Sequence, residues 1–132
     1  MYSMKQTCEL TGMNYETLKY YCNEELILNV QRDKNNRRIF SDNDIAWINS
    51  LACLKKCGMS IKEMKEYLAL CLLGQATIPQ RKIILERKRN ALLMSIDELQ
   101  KSVDYIDWKQ SFYDDVLSGK IVDNSHLHQV DE

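Results

Sequence analysis

The chain has 132 residues, a formal net charge of −1 and five cysteines. Its length fits one domain, or one small domain with an extension. The near-zero net charge gives no overall indication of a nucleic-acid partner, and an odd number of cysteines excludes complete pairing in disulfides. No apolar run approaches the length of about twenty residues that a membrane span needs, and no signal peptide is visible. We therefore expect a cytoplasmic protein with reduced thiols and no membrane partner.

Charge is distributed unevenly along the chain. Residues 30–40 carry four basic side chains against one acidic side chain, and residues 80–101 carry six against three. Residues 102–132 hold two lysines and seven acidic groups. A basic front and an acidic tail favour a DNA-binding protein whose tail avoids the phosphates, although ordinary solvated helix faces would give the same counts.

The first part of the chain has the pattern of a helix-turn-helix. The spacing predicts a short helix over residues 4–10, a turn at Thr11-Gly12 and a second helix whose N-cap is Asn14. Leu18 faces inward in this second helix, which would be the recognition helix of the motif.

A basic hairpin, or wing, is predicted after the second helix. Strands over residues 30–32 and 37–40 flank a turn of Asp33-Lys34-Asn35-Asn36, because Asn tolerates left-handed backbone. A two-stranded ribbon alone is only marginally stable, so we expect this hairpin to pack on the helices through Ile39 and Phe40.

Two further helices are predicted after the hairpin. Ser41 begins the first, which ends at Gly58. A capping box of Ser60 and Glu63 begins the second, which ends at Gly74.

A long helix without Gly or Pro is predicted from Pro79 to about Leu117. Its apolar residues recur every seven positions. A second apolar set follows four positions after the first in each heptad, and Arg89 and Gln110 interrupt this second set. Five such heptads predict a coiled-coil seam on a helix roughly 55–60 Å long. A helix of this length needs a partner, most simply a second copy, and the alternative is that it folds back on its own domain. The predicted dimer-interface residues are Leu85, Leu92, Ile96, Leu99, Val103, Ile106 and Tyr113.

These elements predict a mainly α fold in three segments. Residues 1–75 form a winged helix-turn-helix DNA-binding domain with linking helices, and residues 76–118 form the long dimerisation helix. Residues 119–132 form an acidic, flexible tail. We interpret His126 and His128 as part of that tail rather than as a metal site.

Seven residues are predicted to contact duplex DNA. Thr17 and its neighbours on the recognition helix enter the major groove and read bases, while basic side chains of the wing contact phosphates. Of the tyrosine pair, Tyr20 faces outward and Tyr21 packs in the core; the alternative is that both are buried. The predicted DNA-contacting residues are Tyr15, Thr17, Lys19, Tyr20, Arg37, Arg38 and Phe40.

In combination, these motifs resemble the N-terminal domain of MerR-family transcription regulators, over roughly residues 2–117. The family usually has Gly and then Tyr where this wing has Asn36-Arg37, and it often has an acidic residue in place of Cys22. Lys19 stands where Arg is common. The resemblance is carried by Leu18-Lys19-Tyr20-Tyr21, Leu26-Ile27, Arg32-Asp33, Arg38-Ile39-Phe40, Ser41-Asp42, Asp44-Ile45, Leu54-Lys55, Gly58-Met59-Ser60-Ile61 and Glu63-Met64.

The resemblance implies a homodimer on double-stranded promoter DNA. In the family, the dimer binds a palindrome within an overlong promoter spacer, and it bends and untwists the DNA so that the promoter elements realign for RNA polymerase. No cofactor is implied. Mercury and copper sensors of the family place ligand cysteines at the start and end of the long helix, and residues 76–82 and 112–122 contain none. The short segment after the long helix is also too small for the ligand domain of multidrug-binding relatives.

The chain is most similar to the short regulators of the family that respond to aldehyde and thiol stress. These carry a cysteine in the helix after the wing, and Cys53 matches that position, which implies a sensor thiol. Cys57 lies one turn further on the same face. The alternative is that Cys53 is a small buried hydrophobic residue. The remaining cysteines are predicted to fill the core; these are Cys8, Cys22 and Cys71.

Two other classes of function remain open from the residues alone. A coiled-coil interaction module could use its winged helix to bind protein rather than DNA, although the basic hairpin favours DNA. An enzyme is disfavoured, because the folded region has no Ser/His/Asp set, no phosphate-binding loop and no histidine to act as a base.

Overall fold

The computed structural model describes residues 1–122, and these form a small sheet and five α-helices. His126, His128 and most of the predicted tail lie outside the described residues. A 3₁₀ turn over Gln75–Thr77 precedes the last helix. The strands are β1 (Tyr2–Ser3), β2 (Gln31–Arg32) and β3 (Arg38–Phe40), and the helices are α1 (Met4–Thr11), α2 (Tyr15–Asn23), α3 (Asp42–Lys56), α4 (Ile61–Leu72) and α5 (Ile78–Leu117). The predicted mainly helical fold with a winged helix-turn-helix and a long C-terminal helix is confirmed.

The chain divides into two compact units. The first, Met1–Asn90, contains all the strands, helices α1 to α4 and the beginning of α5. The second begins at Ala91 and contains the rest of α5. None of the described helices is long and apolar enough to cross a membrane.

The turn between α1 and α2 follows from local sequence. Gly12 ends α1 with a left-handed φ of 71°, and its N–H donates to the carbonyl of Cys8. Asn14 then caps α2, where its side chain accepts a hydrogen bond from the backbone N–H of Thr17 at 2.8 Å. Both features match the sequence prediction, because glycine takes a positive φ at little cost and asparagine is a strong N-cap.

The wing is part of a three-stranded antiparallel sheet of order β1-β3-β2. Tyr2 of β1 pairs with Phe40 of β3, and Gln31 of β2 pairs with Ile39 on the other side. Strand β1 was not predicted, since two residues carry no periodicity. It gives the hairpin the third strand that a marginally stable two-stranded ribbon lacks.

Helices α3 and α4 each begin with a capping box. Ser41 and Asp44 exchange side-chain and backbone hydrogen bonds at the start of α3, and Ser60 and Glu63 do so at the start of α4. Gly58 has a φ of 90° in the turn between the two helices. These boundaries agree with the predicted ones, because caps depend on residues close in sequence.

One hydrophobic core lies in the first unit. Helix α2 contributes Leu18, α3 contributes Ile48 and Leu51, α4 contributes Met64, and β3 contributes Phe40. Each of these side chains is at most 1% exposed. The core therefore fixes how α2 and the wing are presented at the surface.

An ion pair ties the start of α5 to the turn between α3 and α4. The Lys88 ammonium lies 2.7 Å from a carboxylate oxygen of Glu63 and also donates to the carbonyl of Gly58 at 3.3 Å. The Glu63 carboxylate accepts from the backbone N–H of Ser60 as well. Lys88, followed by Ser60, holds the pKa of Glu63 below its usual value of 4.5.

We expect the stabilisation from Glu63 to disappear on acidification. Because the pKa is lower in the folded state, this stabilisation is fully present above the unfolded pKa of 4.5 and is lost as the pH falls through the folded pKa. Urea titrations of wild type and Glu63→Gln should give free energies of unfolding that differ at neutral pH and converge in acid. Glu66→Gln, an exposed change on the same helix, serves as the control. A constant offset between wild type and Glu63→Gln at every pH would contradict the expectation.

Candidate nucleic-acid interface and thiol cleft

Helix α2 is anchored on one face and open on the other. Leu18 and Tyr21 are at most 2% exposed, whereas Tyr15 and Tyr20 are about half exposed. Lys19 is also exposed. The prediction that Tyr21 packs in the core while Tyr20 points outward is confirmed. The outward face of α2 therefore offers aromatic, hydroxyl and ammonium groups to a partner.

The wing turn is pinned by a single carboxylate. Asp33 accepts hydrogen bonds from the backbone N–H groups of Asn35 at 2.9 Å and Arg37 at 3.0 Å. Asn36 takes a left-handed φ of 61°, as the turn prediction required. This network holds the tip of the wing in one conformation and projects the arginines that follow.

The three wing arginines differ in how they are held. Arg38 donates to the side-chain oxygen of Asn23 at 2.9 Å, and Arg32 donates to the carbonyl of Asn36 at 2.9 Å. Within residues 1–122, no hydrogen bond or ion pair occupies the guanidinium of Arg37. Arg37 is therefore the wing arginine most available for a phosphate.

The wing and the start of α2 border one concave surface, which encloses a volume of about 640 Å³. It brings together three predicted DNA-contacting residues, Tyr15, Arg37 and Arg38. Lys5 of α1 lies on the same surface, and sequence reasoning missed it because nothing in its local pattern distinguishes it from a solvated lysine. Four basic groups against the single carboxylate of Asp33 make this surface electropositive.

Two further clefts flank α2 on the side of α3 and α4. One, of about 420 Å³, is lined by Thr17, Tyr20, Lys55 and Ser60 among others. The other, of about 450 Å³, lies between the α1–α2 turn and α3, and its lining includes Thr17, Lys55 and Lys56. The predicted contacts Thr17 and Tyr20 therefore lie beside lysines of α3 that sequence reasoning did not assign to DNA.

Phe40 cannot contact DNA in this fold, and its place among the predicted DNA contacts is wrong. Its side chain is 0% exposed and belongs to the core. The expectation that Ile39 and Phe40 pack on the helices is the one that the structure supports, since Ile39 is half-buried.

Cys53 is exposed on α3 and borders a cleft of about 400 Å³. The alternative of a buried hydrophobic residue is therefore wrong. The cleft is bounded by Trp47, Tyr67 and Cys71, but not by Cys57. Cys8, Cys22 and Cys71 are all half-buried; Cys8 and Cys22 pack against the core, whereas Cys71 does not, so the prediction that it fills the core is not met.

Arg81 joins the far end of this cleft to the start of α5. Its guanidinium donates to the sulfur of Cys71 at 3.8 Å and to the carbonyl of Gly74 at 2.6 Å. Its Nε donates to the hydroxyl of Thr77 at 3.1 Å. Burial, followed by the nearby Cys71, raises the pKa of Tyr67, so its phenol stays neutral at physiological pH.

The apolar residues of the predicted seam are all exposed in the single chain. Their exposed fractions run from 40% for Leu85 and Leu92 to 66% for Leu99. Unpartnered apolar side chains of this number mark a surface for association. Among residues 1–122, no cluster of three His, Cys, Asp or Glu side chains has the arrangement of a metal site.

Known proteins share this fold and sequence pattern. The family described as MerR HTH family regulatory protein matches residues 2–71. An uncharacterised HTH-type transcriptional regulator of Haemophilus influenzae is 32% identical over 131 residues, which cover 99% of this chain and 97% of the relative. The HTH-type transcriptional regulator AdhR of Bacillus subtilis is 33% identical over 91 residues, which cover 69% of this chain and 65% of AdhR. The crystal structure of HiNmlR, a MerR-family regulator that lacks the sensor domain and is bound to promoter DNA, aligns with a TM-score of 0.72 and 32% identity, covering 89% of this chain and 93% of that chain.

Proposed function

The chain belongs to the MerR family of DNA-binding transcription regulators, and we propose that it acts as a homodimer on a two-fold-symmetric promoter site. The observation that carries this proposal is the electropositive surface shared by the wing and the start of α2, with Tyr15, Arg37 and Arg38 on it. HiNmlR, a relative of similar fold, was crystallised on promoter DNA, which supports the same class of partner here.

The side chains divide by the part of the DNA that they contact. Tyr15, Thr17 and Lys19 enter the major groove from the exposed face of α2 and read base edges. Tyr20, Arg37 and Arg38 contact phosphates, as does Lys19, and they contribute most of the affinity. Lys5 joins the phosphate contacts, because it lies on the same concave surface as the wing arginines.

The dimer forms through the apolar seam of α5. Charge favours an antiparallel pair, because residues 81–89 carry five basic groups against Glu86, whereas residues 104–115 carry four acidic groups against Lys109. Antiparallel helices centred near Leu99 bring opposite charges together, and parallel helices would bring like charges together. The two winged units then lie at opposite ends of the helix pair, and each binds one half-site.

The dimer regulates transcription by deforming the promoter. The paired helices hold the two winged units at a fixed separation. Bending and untwisting the DNA brings both half-sites within reach of the two units. In this proposal the deformation realigns the promoter elements for RNA polymerase. Electrophile or aldehyde modification of Cys53, an exposed thiol in a cleft, is the signal that changes this state.

Footprinting on the DNA upstream of the gene and its neighbours tests the regulator. Protection of a two-fold-symmetric site supports the proposal, and the absence of salt-dependent binding to any such DNA would favour a protein-interaction module. Transcription with and without an aldehyde then tests Cys53. The response should vanish in Cys53→Ala and persist in Cys57→Ala, and a response that survives Cys53→Ala would move the sensor elsewhere.

Arg37→Ala should weaken operator binding and flatten its salt dependence. Each lost phosphate contact lowers the slope of log K against log[salt] by about 0.9, and a dimer loses two such contacts. The decrease in slope should therefore be about 1.8, with similar loss on non-operator DNA. Fluorescence anisotropy over a salt series measures it. Lys101→Ala removes one exposed charge from α5 and is the control. An unchanged slope in Arg37→Ala would exclude Arg37 from phosphate contact.

A further inference from the structure

The cleft beside Cys53 is open to solvent, and its volume is within the range of small-molecule sites. Its volume of about 400 Å³ falls within the range of roughly 300–1,000 Å³ that is usual for ligand pockets. The wall from α4 contains Tyr67 and Cys71, and the wall from α3 contains Trp47, Asn49, Ser50, Cys53 and Leu54. A nucleophile therefore lies on the rim of a mainly apolar cleft.

The aromatic walls of this cleft are held in place. The indole N–H of Trp47 donates to the carbonyl of Leu26 at 2.7 Å, which fixes the ring. Tyr67 is half-buried and packs against the core. The hydroxyl of Ser50, another lining group, already donates to the carbonyl of Ala46 at 3.3 Å. The Trp47 ring is therefore held in one position at the wall of the cleft, and the Ser50 hydroxyl is already engaged.

Among residues 1–122, no charged side chain lines the cleft, and the nearest guanidinium, that of Arg81, lies against Cys71 at its far end. Because Arg81 already donates to the carbonyl of Gly74 and the sulfur of Cys71, an anionic ligand would lose hydration in the cleft without a free cation to pair with, which disfavours carboxylated or phosphorylated electrophiles. A very small, hydrated aldehyde would gain nothing from the aromatic walls. An apolar ring or tail would bury surface against them, which is favourable.

We propose that this cleft binds the carbon skeleton of an α,β-unsaturated aldehyde that carries an apolar ring or tail. This inference rests on the proposed role of Cys53 as the sensor thiol. The Cys53 thiolate adds to the β-carbon, so one S–C bond forms while the carbon–carbon π bond becomes an enolate. The proton released from the thiol returns through water to the α-carbon. No group leaves, and nothing is oxidised or reduced.

The far end of the cleft connects an occupant to the start of α5. Cys71 lines the cleft, and its sulfur accepts a hydrogen bond from Arg81, which also holds the carbonyl of Gly74 and the hydroxyl of Thr77. A ring seated between Tyr67 and Cys71 displaces the sulfur and loosens this set of bonds. Adduct formation thereby changes the connection between α4 and α5.

The test compares trans-cinnamaldehyde with acrolein, which has the same reactive group and no ring. The experiment uses the full chain with the substitution Trp108→Phe. The chain has two tryptophans, so Trp47 is then the only one left to report by fluorescence. Intact-protein mass spectrometry measures the rate of adduct formation, and peptide mapping identifies the modified cysteine. Each rate is divided by the rate at which the same aldehyde reacts with free glutathione, which gives a normalised rate. We expect the normalised rate at Cys53 to be at least about tenfold higher for cinnamaldehyde, with quenching of Trp47.

Two cleft variants and one matched control complete the design. Tyr67→Ala removes one wall, and Ser50→Phe fills the cleft from an exposed position without removing packed atoms. Both variants should bring the ratio of the normalised rates, cinnamaldehyde over acrolein, close to one. Cys57→Ser, at the C-cap of α3 and outside the cleft, should leave this ratio unchanged. A ratio near one in wild type, adducts on Cys71 in place of Cys53, or a preference that persists in both cleft variants would overturn the proposal.

Failure of this proposal can be separated from failure of the regulator. If small aldehydes switch transcription through Cys53 while the normalised ratio is one, the regulator stands and the cleft selectivity is overturned. If no operator is bound but cinnamaldehyde selectively modifies Cys53, the cleft selectivity stands and the regulatory role is overturned.

Discussion

Replacing Leu99 by lysine is expected to dissociate the proposed dimer, whereas replacing Met94 by lysine is expected to leave it intact. The two side chains are matched in the single chain, since Leu99 is 66% exposed and Met94 is 67% exposed. They differ in direction, because five residues turn an α-helix by about 140° and only Leu99 lies in the heptad seam. Any difference between the two variants therefore reports the seam and not general surface hydrophobicity.

The size of the effect follows from burial at the seam. The proposed antiparallel pair would bury two copies of this side chain at about 1.5 kcal/mol or more each, so the dissociation constant should rise by more than about a hundredfold. Two lysines facing each other add repulsion. Operator affinity should fall as well, because the second half-site is no longer held at high effective concentration.

Sedimentation velocity over a concentration series measures the dissociation constant, and footprinting measures operator occupancy. Wild type and Met94→Lys should sediment as dimers and protect both half-sites at concentrations where Leu99→Lys is monomeric. A Leu99→Lys dimer as stable as wild type would exclude the seam, and equal dissociation of both variants would point to another surface of α5.

The features that could be predicted from the sequence depend on residues close together along the chain. Asn14, Ser41 and Ser60 cap helices through hydrogen bonds to backbone three residues away. Gly12 ends α1 in the left-handed conformation that glycine adopts at little cost. The heptads predicted the long helix α5 because its apolar period is local too.

The features that could not be predicted depend on packing between distant segments. Strand β1 is two residues long and exists because Tyr2 pairs with Phe40. Lys5 and Lys55 become neighbours of α2 residues only when α1 and α3 pack beside it. Cys71 shares a cleft with Cys53 through the placement of α4 beside α3, and eighteen positions of sequence separation carry no such signal.

Phe40→Ala should destabilise the winged domain by about 3–5 kcal/mol, as expected for truncating a fully buried aromatic side chain. Domains of this kind have total stabilities of about 5–15 kcal/mol, so a large fraction of the stability would be lost. Phe40→Leu, which keeps most of the volume, should cost less, about 1.5 kcal/mol. Urea unfolding of the two variants and wild type measures these differences.

The same pair of variants separates packing from DNA contact at the wing. A side chain that contacts DNA would weaken operator binding when replaced, without altering the free energy of unfolding. Phe40 is buried and pairs with Tyr2 across the sheet, so its loss should act through stability alone. Folded Phe40→Leu should therefore bind the operator with wild-type affinity and salt slope, whereas Arg37→Ala should unfold like wild type and bind more weakly. Weakened binding by a fully folded Phe40→Leu would show that the packing of β3 also sets the position of the arginines that precede it.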